Sequence, residues 1–432
     1  MEELTKYKLG EIAKIYNGST PSTLDASNYD GDIIWATPKD LSDQNSKYFS
    51  KGARNITQKG FDSCSTQMIP ANNILMSSRA PIGLFAINTI DCCTNQGFKN
   101  IVLDKAIADV DFMYYFLKYH VKEIEALGSG TTFREVSKTA FEKYEISIPS
   151  LPTQQKIASV LSKLDRKISV NREINRNLEE LAKQIYDYWF VQFDFPNEEG
   201  MPYKSSGGKM VWNEILKREI PAGWKNGVLS NIAYITMGQS PEGSSYNEDG
   251  IGTIFYQGST DFGIRFPNVR MYTTKPTRFA KIGDILMSVR APVGAMNIAN
   301  SDCCIGRGLS AMNSKIGSIT HLYYTMDYFR HTFENKNAVG TTFGSITKDE
   351  LYNLPVVIPS KEVISAFNVK TIYIFNQQLS TSKEIQELTA LRDSLLPFLM
   401  SGQVTLNSCL SLIIHLYNTI FARFNFTTRN SK

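Results

Sequence analysis

The sequence predicts an α+β chain in which two mixed α/β domains are joined by two long antiparallel helices, the whole forming an internal pseudo-two-fold repeat. Three observations carry this reading. Residues 75–83 (LMSSRAPIG) return as residues 286–294 (LMSVRAPVG), and Asp91-Cys92-Cys93 returns as Asp302-Cys303-Cys304 at the same offset of 211. Gly130-Thr131-Thr132-Phe133 and Ile148-Pro149-Ser150 return at an offset of 210 as Gly340-Thr341-Thr342-Phe343 and Ile358-Pro359-Ser360. Each half also changes abruptly from short punctuated runs to a long stretch of heptad-spaced apolar residues. Four matched blocks in one order mark a duplicated domain, and the period is far too long for a solenoid.

In residues 1–152, the first mixed domain, short apolar or β-branched runs at 32–36, 73–76, 84–87 and 100–103 are separated by Gly, Pro, Asn and Ser, as strands and turns are. Residues 111–127 predict one helix, with Phe112, Tyr115, Phe116, Tyr119 and Ile124 near helical spacing and Gly128 as its stop. Its counterpart lies near 319–333 in the second domain, residues 225–360.

Residues 153–195 predict the first long helix. Ile157, Leu161, Leu164, Ile168, Leu178 and Ile185 form the heptad seam, interrupted by Asn171 and Asn175. Residues 361–404 predict the second, with Phe367, Ile374, Ile385, Leu388 and Leu395 around polar Thr371, Gln378 and Thr381. A buried Asn in such a seam lowers stability but fixes register and partner. A 38-residue helix is ~57 Å long, and two of them most simply pack antiparallel and hold the mixed domains apart; the alternative is two unrelated amphipathic surface helices. Residues 196–224, rich in Gly, Ser and charge, read as a linker or surface loop.

Composition bounds the function. A 432-residue chain with 42% hydrophobic and 20% charged residues is neither disordered nor collagen-like. Four of the six Cys form adjacent pairs, a poor spacing for disulfides or a zinc knuckle, so small buried hydrophobes in a reduced, cytoplasmic protein are expected. The apolar stretch 409–421 is shorter than the ~20 residues that span a bilayer. Residues 1–150 carry a net charge of −2 and residues 221–360 a net charge of +2, so either domain would hold DNA only weakly by bulk electrostatics.

The tools of catalysis are missing from the sequence: there is no GxxxxGK[ST] phosphate loop, no GxGxxG and no Asn-Pro-Pro-aromatic segment. The four His stand at no metal-ligand spacing. We therefore expect no catalytic residue, no metal site and no cofactor on this chain. The repeated features are instead Gly- and hydroxyl-rich loops. Ser19, Thr20 and Ser22 pair with Gln239 and Ser240, and Thr131 and Thr132 pair with Thr341 and Thr342. Exposed amides and hydroxyls of this kind suit phosphate oxygens, although they are also common simple turns. Arg79 and Arg290, nearly identical in setting, suggest a shared role in fold support or phosphate contact. Base readers should differ between the halves. The candidates are Lys39, Asp40, Asn95, Gln96 and Lys99 in one half and Gln257, Ser259, Arg265, Arg270 and Arg307 in the other.

This layout resembles the specificity subunit of type I restriction-modification systems. The most telling segments are residues 148–158 (IPSLPTQQKIA), residues 189–195 (WFVQFDF), Ser206-Gly207-Gly208-Lys209-Met210 and Gly223-Trp224. The resemblance covers residues 1 to about 405. It implies two target-recognition domains, each reading one half of a bipartite, asymmetric double-stranded DNA site, and helices that set the gap and dock two methyltransferase subunits. Those subunits would bring S-adenosylmethionine, and restriction/translocase subunits would bring ATP and Mg. A coiled-coil protein-interaction adaptor without DNA-reading activity is the alternative, distinguished by the absence of salt-dependent DNA affinity. Residues 405–432 depart from the family pattern. From Asn407 onward they carry three basic and no acidic residues, which leaves open a frameshifted or readthrough end, an additional packing helix or a partner contact.

Overall fold

The computed structural model describes residues 4–43, 46–79, 81–129, 134–263, 265–329, 333 and 344–401. Gly130, Thr131, Thr132, Gly340, Thr341, Thr342 and the tail 405–432 lie outside the described residues. The chain divides into two compact units, Met1–Asn171 with Glu384–Lys432, and Arg172–Lys383. Each long helix contributes one half to each unit.

The first unit contains β1 (Thr5–Lys8), α1 (Leu9–Ile12), β2 (Ala13–Asn17), β3 (Tyr29–Ile33), β4 (Trp35–Ala36), α2 (Pro38–Asp43), β5 (Tyr48–Phe49) and α3 (Gln58–Asp62). It continues with β6 (Ile74–Ser77), β7 (Phe85–Asn88), β8 (Cys93–Thr94), β9 (Phe98–Leu103), α4 (Val110–Tyr119), α5 (Val121–Ala126), α6 (Lys138–Glu142), β10 (Glu145–Ile148) and α7 (Leu151–Tyr186). The main sheet has the order β2-β9-β6-β7-β5, and β4 pairs in parallel with β8. Central β6 is buried on both faces: Ile74 and Met76 enter the core beneath α4 and α7, while Leu75 enters a second core with Phe49, Cys92 and Phe98. The helix expected over 111–127 is broken at His120, which closes α4 and opens α5.

The second unit repeats this plan. Its strands are β11 (Met210–Asn213), β12 (Arg218–Pro221), β13 (Lys225–Val228), β14 (Ala233–Met237), β15 (Tyr246–Asn247), β16 (Thr253–Tyr256), β17 (Tyr272–Thr273), β18 (Phe279–Ala280), β19 (Ile285–Ser288), β20 (Met296–Ile298), β21 (Cys303–Ile305), β22 (Leu309–Ser314) and β23 (Pro355–Ile358). Its helices are α8 (Leu229–Ile232), α9 (Ile319–Tyr328), α10 (Lys348–Tyr352) and α11 (Lys361–Met400). The order β14-β22-β19-β20 matches the first sheet, and β16 runs parallel to β21 as β4 does to β8. Ile285 and Met287 face the main core and Leu286 the smaller one, the alternation seen in β6. The adjacent Cys follow from this pleat: Cys92 and Cys93 enter different cores, and Cys303 and Cys304 are likewise buried and free.

Residues 196–224 are more structured than a linker. β11 and β12 form an antiparallel hairpin, and Phe195 stacks on Tyr203 at 4.7 Å and on Trp224 at 5.0 Å. The Gly and Ser content marks only the turns, while Tyr203 and Trp224, packed on Phe195 just before the segment, supply the burial that holds it.

The helices pair antiparallel in each unit. In the first, Arg392 Nη1 donates to Asp165 at 2.7 Å and Asn171 Nδ2 to Glu384 at 2.8 Å. In the second, Asn175 Nδ2 donates to Ser382 Oγ at 2.8 Å and Gln378 Nε2 to Glu179 at 3.0 Å. Ile157, Leu161, Ile168, Asn171, Phe367 and Leu395 are buried, whereas Leu164, Asn175, Leu178, Ile185, Ile374, Ile385 and Leu388 are half-buried. Gln154 anchors the start of α7. It is 1% exposed, its Oε1 accepts from Asp109 N, and its Nε2 donates to the Ile107 and Pro149 carbonyls, all within 3.0 Å.

Candidate nucleic-acid interface

Strand polarity gathers the repeated loops at one end of each sheet. β2 ends where Asn17 pairs with Lys99 at the start of β9, and β6 ends there too, with Ser77 opposite Phe98. The loops after β2, β4, β6 and β8 therefore share one rim. In the second unit Met237 and Met287 both pair with Ser310, and Ser288 lies opposite Leu309, so the loops after β14, β16, β19 and β21 share the equivalent rim.

The two rim frames share a set of recurring hydrogen bonds. Ser19 N donates to Thr94 O at 2.9 Å, and Gln239 N donates to Ile305 O at 3.0 Å. A Cβ on Gly18 would collide with the Thr94 and Asn95 backbone, and one on Gly238 with Gly306, so both turns need the close approach that only Gly permits. Tyr29 and Tyr246 donate their hydroxyls to the carbonyls of Pro21 and Pro241 at 2.8 and 2.9 Å. The turn after each parallel strand is held by a carboxylate: Asp40 accepts from Thr37 N and Asp261 from Gln257 N.

On these frames the predicted residues separate into groups. Lys39, Gln96 and Ser22 are exposed on the first rim, with Thr20 hydrogen-bonded to Gln96. Gln257 and Arg307 are exposed on the second, with half-buried Ser259 beside them, and Ser240 Oγ accepts from Arg307 N at 3.2 Å. Arg79 and Arg290 are exposed at equivalent positions after β6 and β19. The Ser19 and Gln239 amides are consumed inside the fold, so they are not phosphate donors. Asp40 and Asn95 hold turns, and Arg270 caps Asp261 through a 2.9 Å bond from Nε.

Two candidates are corrected. Lys99 is 4% exposed and lies beneath the rim, its Nζ 3.1 Å from Glu135, so it cannot reach a base. Arg265 is 6% exposed and paired with Glu179 of α7, its guanidinium 4.5 Å from the Tyr323 ring. It is the counterpart of Lys47, whose ammonium is paired with Asp111 and sits 4.2 Å over Tyr115. Ile87 N donates to Lys47 O at 2.9 Å and Ile298 N to Arg265 O at 2.8 Å, which fixes the equivalence. Lys47 lies 28 positions before Leu75 but Arg265 only 21 before Leu286, so the pair fell out of the offset that matched the later blocks. Burial depresses the Lys47 pKa, opposed by the hydrogen bond and charge of Asp111. Both cations join a mixed domain to a helix and are struts of the fold.

Reasoning from sequence missed Lys47, Gln154 and Glu135. Glu135 had a signal: it is an acidic residue facing Ser345 across the repeat, beside the matched Gly-Thr-Thr-Phe block. Among the described residues no group of three or more His, Cys, Asp or Glu could hold a metal ion, and no helix is long and apolar enough to cross a membrane.

A family model described as the type I restriction modification DNA specificity domain matches residues 1–180 and again residues 221–390. The type I restriction enzyme MjaIX specificity subunit of Methanocaldococcus jannaschii is 30% identical over 416 residues, covering 92% of each chain. The HindI specificity subunit of Haemophilus influenzae is 24% identical, with 94% of this chain and 100% of that one covered. The crystal structure of the type I restriction-modification system S subunit from M. genitalium shares the fold, with a TM-score of 0.59 at 18% identity and coverage of 92% and 96%.

Proposed function

Since this chain belongs to the type I restriction modification DNA specificity family, we propose that each unit reads one half of a bipartite, asymmetric double-stranded DNA site through its loop rim. The chain is a DNA specificity subunit, a non-catalytic recognition component that binds no cofactor itself. The observation that carries the half-site reading is one rim built twice on the same backbone frame with different exposed side chains, Lys39 and Gln96 in one unit and Gln257 and Arg307 in the other. A common frame gives both units the same approach to a duplex, and differing tips give them different base preferences.

In the assembled system the helices hold two methyltransferase subunits, which bring S-adenosylmethionine, and restriction/translocase subunits bring ATP and Mg. A surface for such docking is the outer side of α7 in the second unit. Ile174 and Leu181 are exposed there seven residues apart, Tyr188 is exposed seven further on in the π-helical turn Asp187–Val191 that follows α7, and an open groove of about 460 Å³ runs between Leu181, Gln184, Ile185 and Trp189. An exposed apolar stripe of this spacing suits a partner helix.

Domain exchange tests the half-site reading. Residues 1–150 are replaced by those of another specificity subunit, and the modified sites are mapped by methylation-aware sequencing in a host carrying the full system. One half of the recognised site changes and the other stays. A change in both halves would show that the units do not read independently.

A further inference from the structure

The same arginine stands in different company in the two units. After β6, Arg79 Nε donates to Glu135 Oε2 at 3.0 Å, and Lys99 Nζ reaches the other oxygen, Oε1, at 3.1 Å. Burial opposes the charge on Glu135, but the hydrogen bonds and charges of Lys99 and Arg79 outweigh it and hold the carboxyl below its usual range. The Glu135 backbone is itself pinned by two bonds to Ser129, at 3.0 and 3.1 Å. A buried lysine thus fixes a carboxylate, and the carboxylate fixes an arginine whose side chain is 48% exposed.

In the second unit the frame is the same and the brace is gone. Ser78 N donates to Gly97 O and Val136 N to Ser78 O; likewise Val289 N donates to Gly308 O and Ile346 N to Val289 O. Ser345 therefore stands where Glu135 does, and Ser310, opposite Met287, stands where Lys99 does, opposite Met76. Arg290 is exposed and has no ion pair among the described residues.

We propose that Glu135 is a positioning residue that presents Arg79 as a rigid fork to one guanine of the first half-site, whereas unbraced Arg290 serves its half-site as a phosphate contact. Engagement at Nε leaves the outer edge of the Arg79 guanidinium for the bidentate contact that guanine O6 and N7 offer. Ordering that fork in advance removes the rotamer entropy that a free arginine loses on binding. A phosphate requires a charge but no fixed plane. This inference rests on the proposed reading of DNA by the loop rim, and it deepens that reading by giving matched arginines different work.

The test uses the full chain assembled with its methyltransferase subunits, on duplexes carrying single base-pair changes in either half-site. The double variant Glu135→Ser with Lys99→Ser gives the first unit the residues that the second already folds with. It loses roughly tenfold discrimination at one G·C pair of the first half-site, the scale of one bidentate contact, and leaves second half-site discrimination intact. Arg79→Lys loses the same discrimination while keeping the salt dependence of binding, and Arg290→Lys changes neither. Unchanged or increased discrimination in the double variant, or equal sensitivity of Arg79→Lys and Arg290→Lys, overturns the proposal. Wild-type complex that shows no split-site preference in the same assay sinks the underlying reading instead, so the two failures are distinguishable.

Discussion

Arg265 carries opposite predictions as a strut and as a base reader, and replacing it by Met separates them. Its side chain is 7% exposed and that of its partner Glu179 is 35% exposed. Removing one member of a fully buried ion pair costs about 3–5 kcal/mol. Glu179 is partly solvated and keeps the 3.0 Å bond from Gln378, so roughly half of that figure applies here. Loss of the cation over Tyr323 adds about 1 kcal/mol, for a total of about 3 kcal/mol. Trp189, Trp212 and Trp224 all lie in the second unit and only Trp35 in the first, so tryptophan fluorescence follows mainly the second unit on urea unfolding. With a slope of about 2–3 kcal/mol/M, the midpoint falls by about 1 M. Arg265→Lys retains much of the stability, since Lys47 fills the same role in the first unit, and combining Arg265→Met with Glu179→Gln costs less than the sum of the two changes. A midpoint unmoved by Arg265→Met, together with lost preference for a base pair in the second half-site, would refute the strut and restore the base reader.

Gln154→Ala strips partners from the Asp109 amide and from the Ile107 and Pro149 carbonyls. We expect a loss of about 2–4 kcal/mol in the first unit, read through Trp35 in a variant lacking the other tryptophans; a loss under about 0.5 kcal/mol would mean that water replaces the amide. His321 is buried against Phe190 and Phe367, and burial lowers its pKa from 6.5 to about 3. The unfolded chain then takes up a proton below pH 6.5 that the folded chain refuses. Its contribution is therefore fully present above that pH and is lost progressively as pH falls toward 3. At pH 5.5 the loss is about 1.4 kcal/mol. His321→Phe should flatten the change in urea midpoint between pH 7.5 and 5.5, and an unchanged slope would place the titrating group elsewhere.

Much of the architecture was legible in one dimension because the repeat reports on itself. The LMSxRAPxG blocks became β6 and β19 with their following turns, and the heptad spacing from Ile157 onward became α7. Periodicity survives translation into structure because backbone geometry is local: a pleat alternates every two residues and a helix face recurs every three or four. The candidate site was legible more thinly. The exposed rim residues Lys39, Gln96, Gln257 and Arg307 were found because they differ between matched blocks.

What the sequence alone determined, then, was the duplication, the long helices and the segments that form the rim. Only the tertiary structure decided which charges face outward. Lys99 and Arg265 look like readers in a list of unmatched polar residues, yet Glu135 and Glu179, distant in the chain, draw them into the fold. The same step separated Arg79 from Arg290, nearly identical in their local sequence, the first facing the Glu135 carboxylate and the second Ser345. Charge pairing depends on proximity in space and on burial, and neither is a property of a residue's neighbours along the chain.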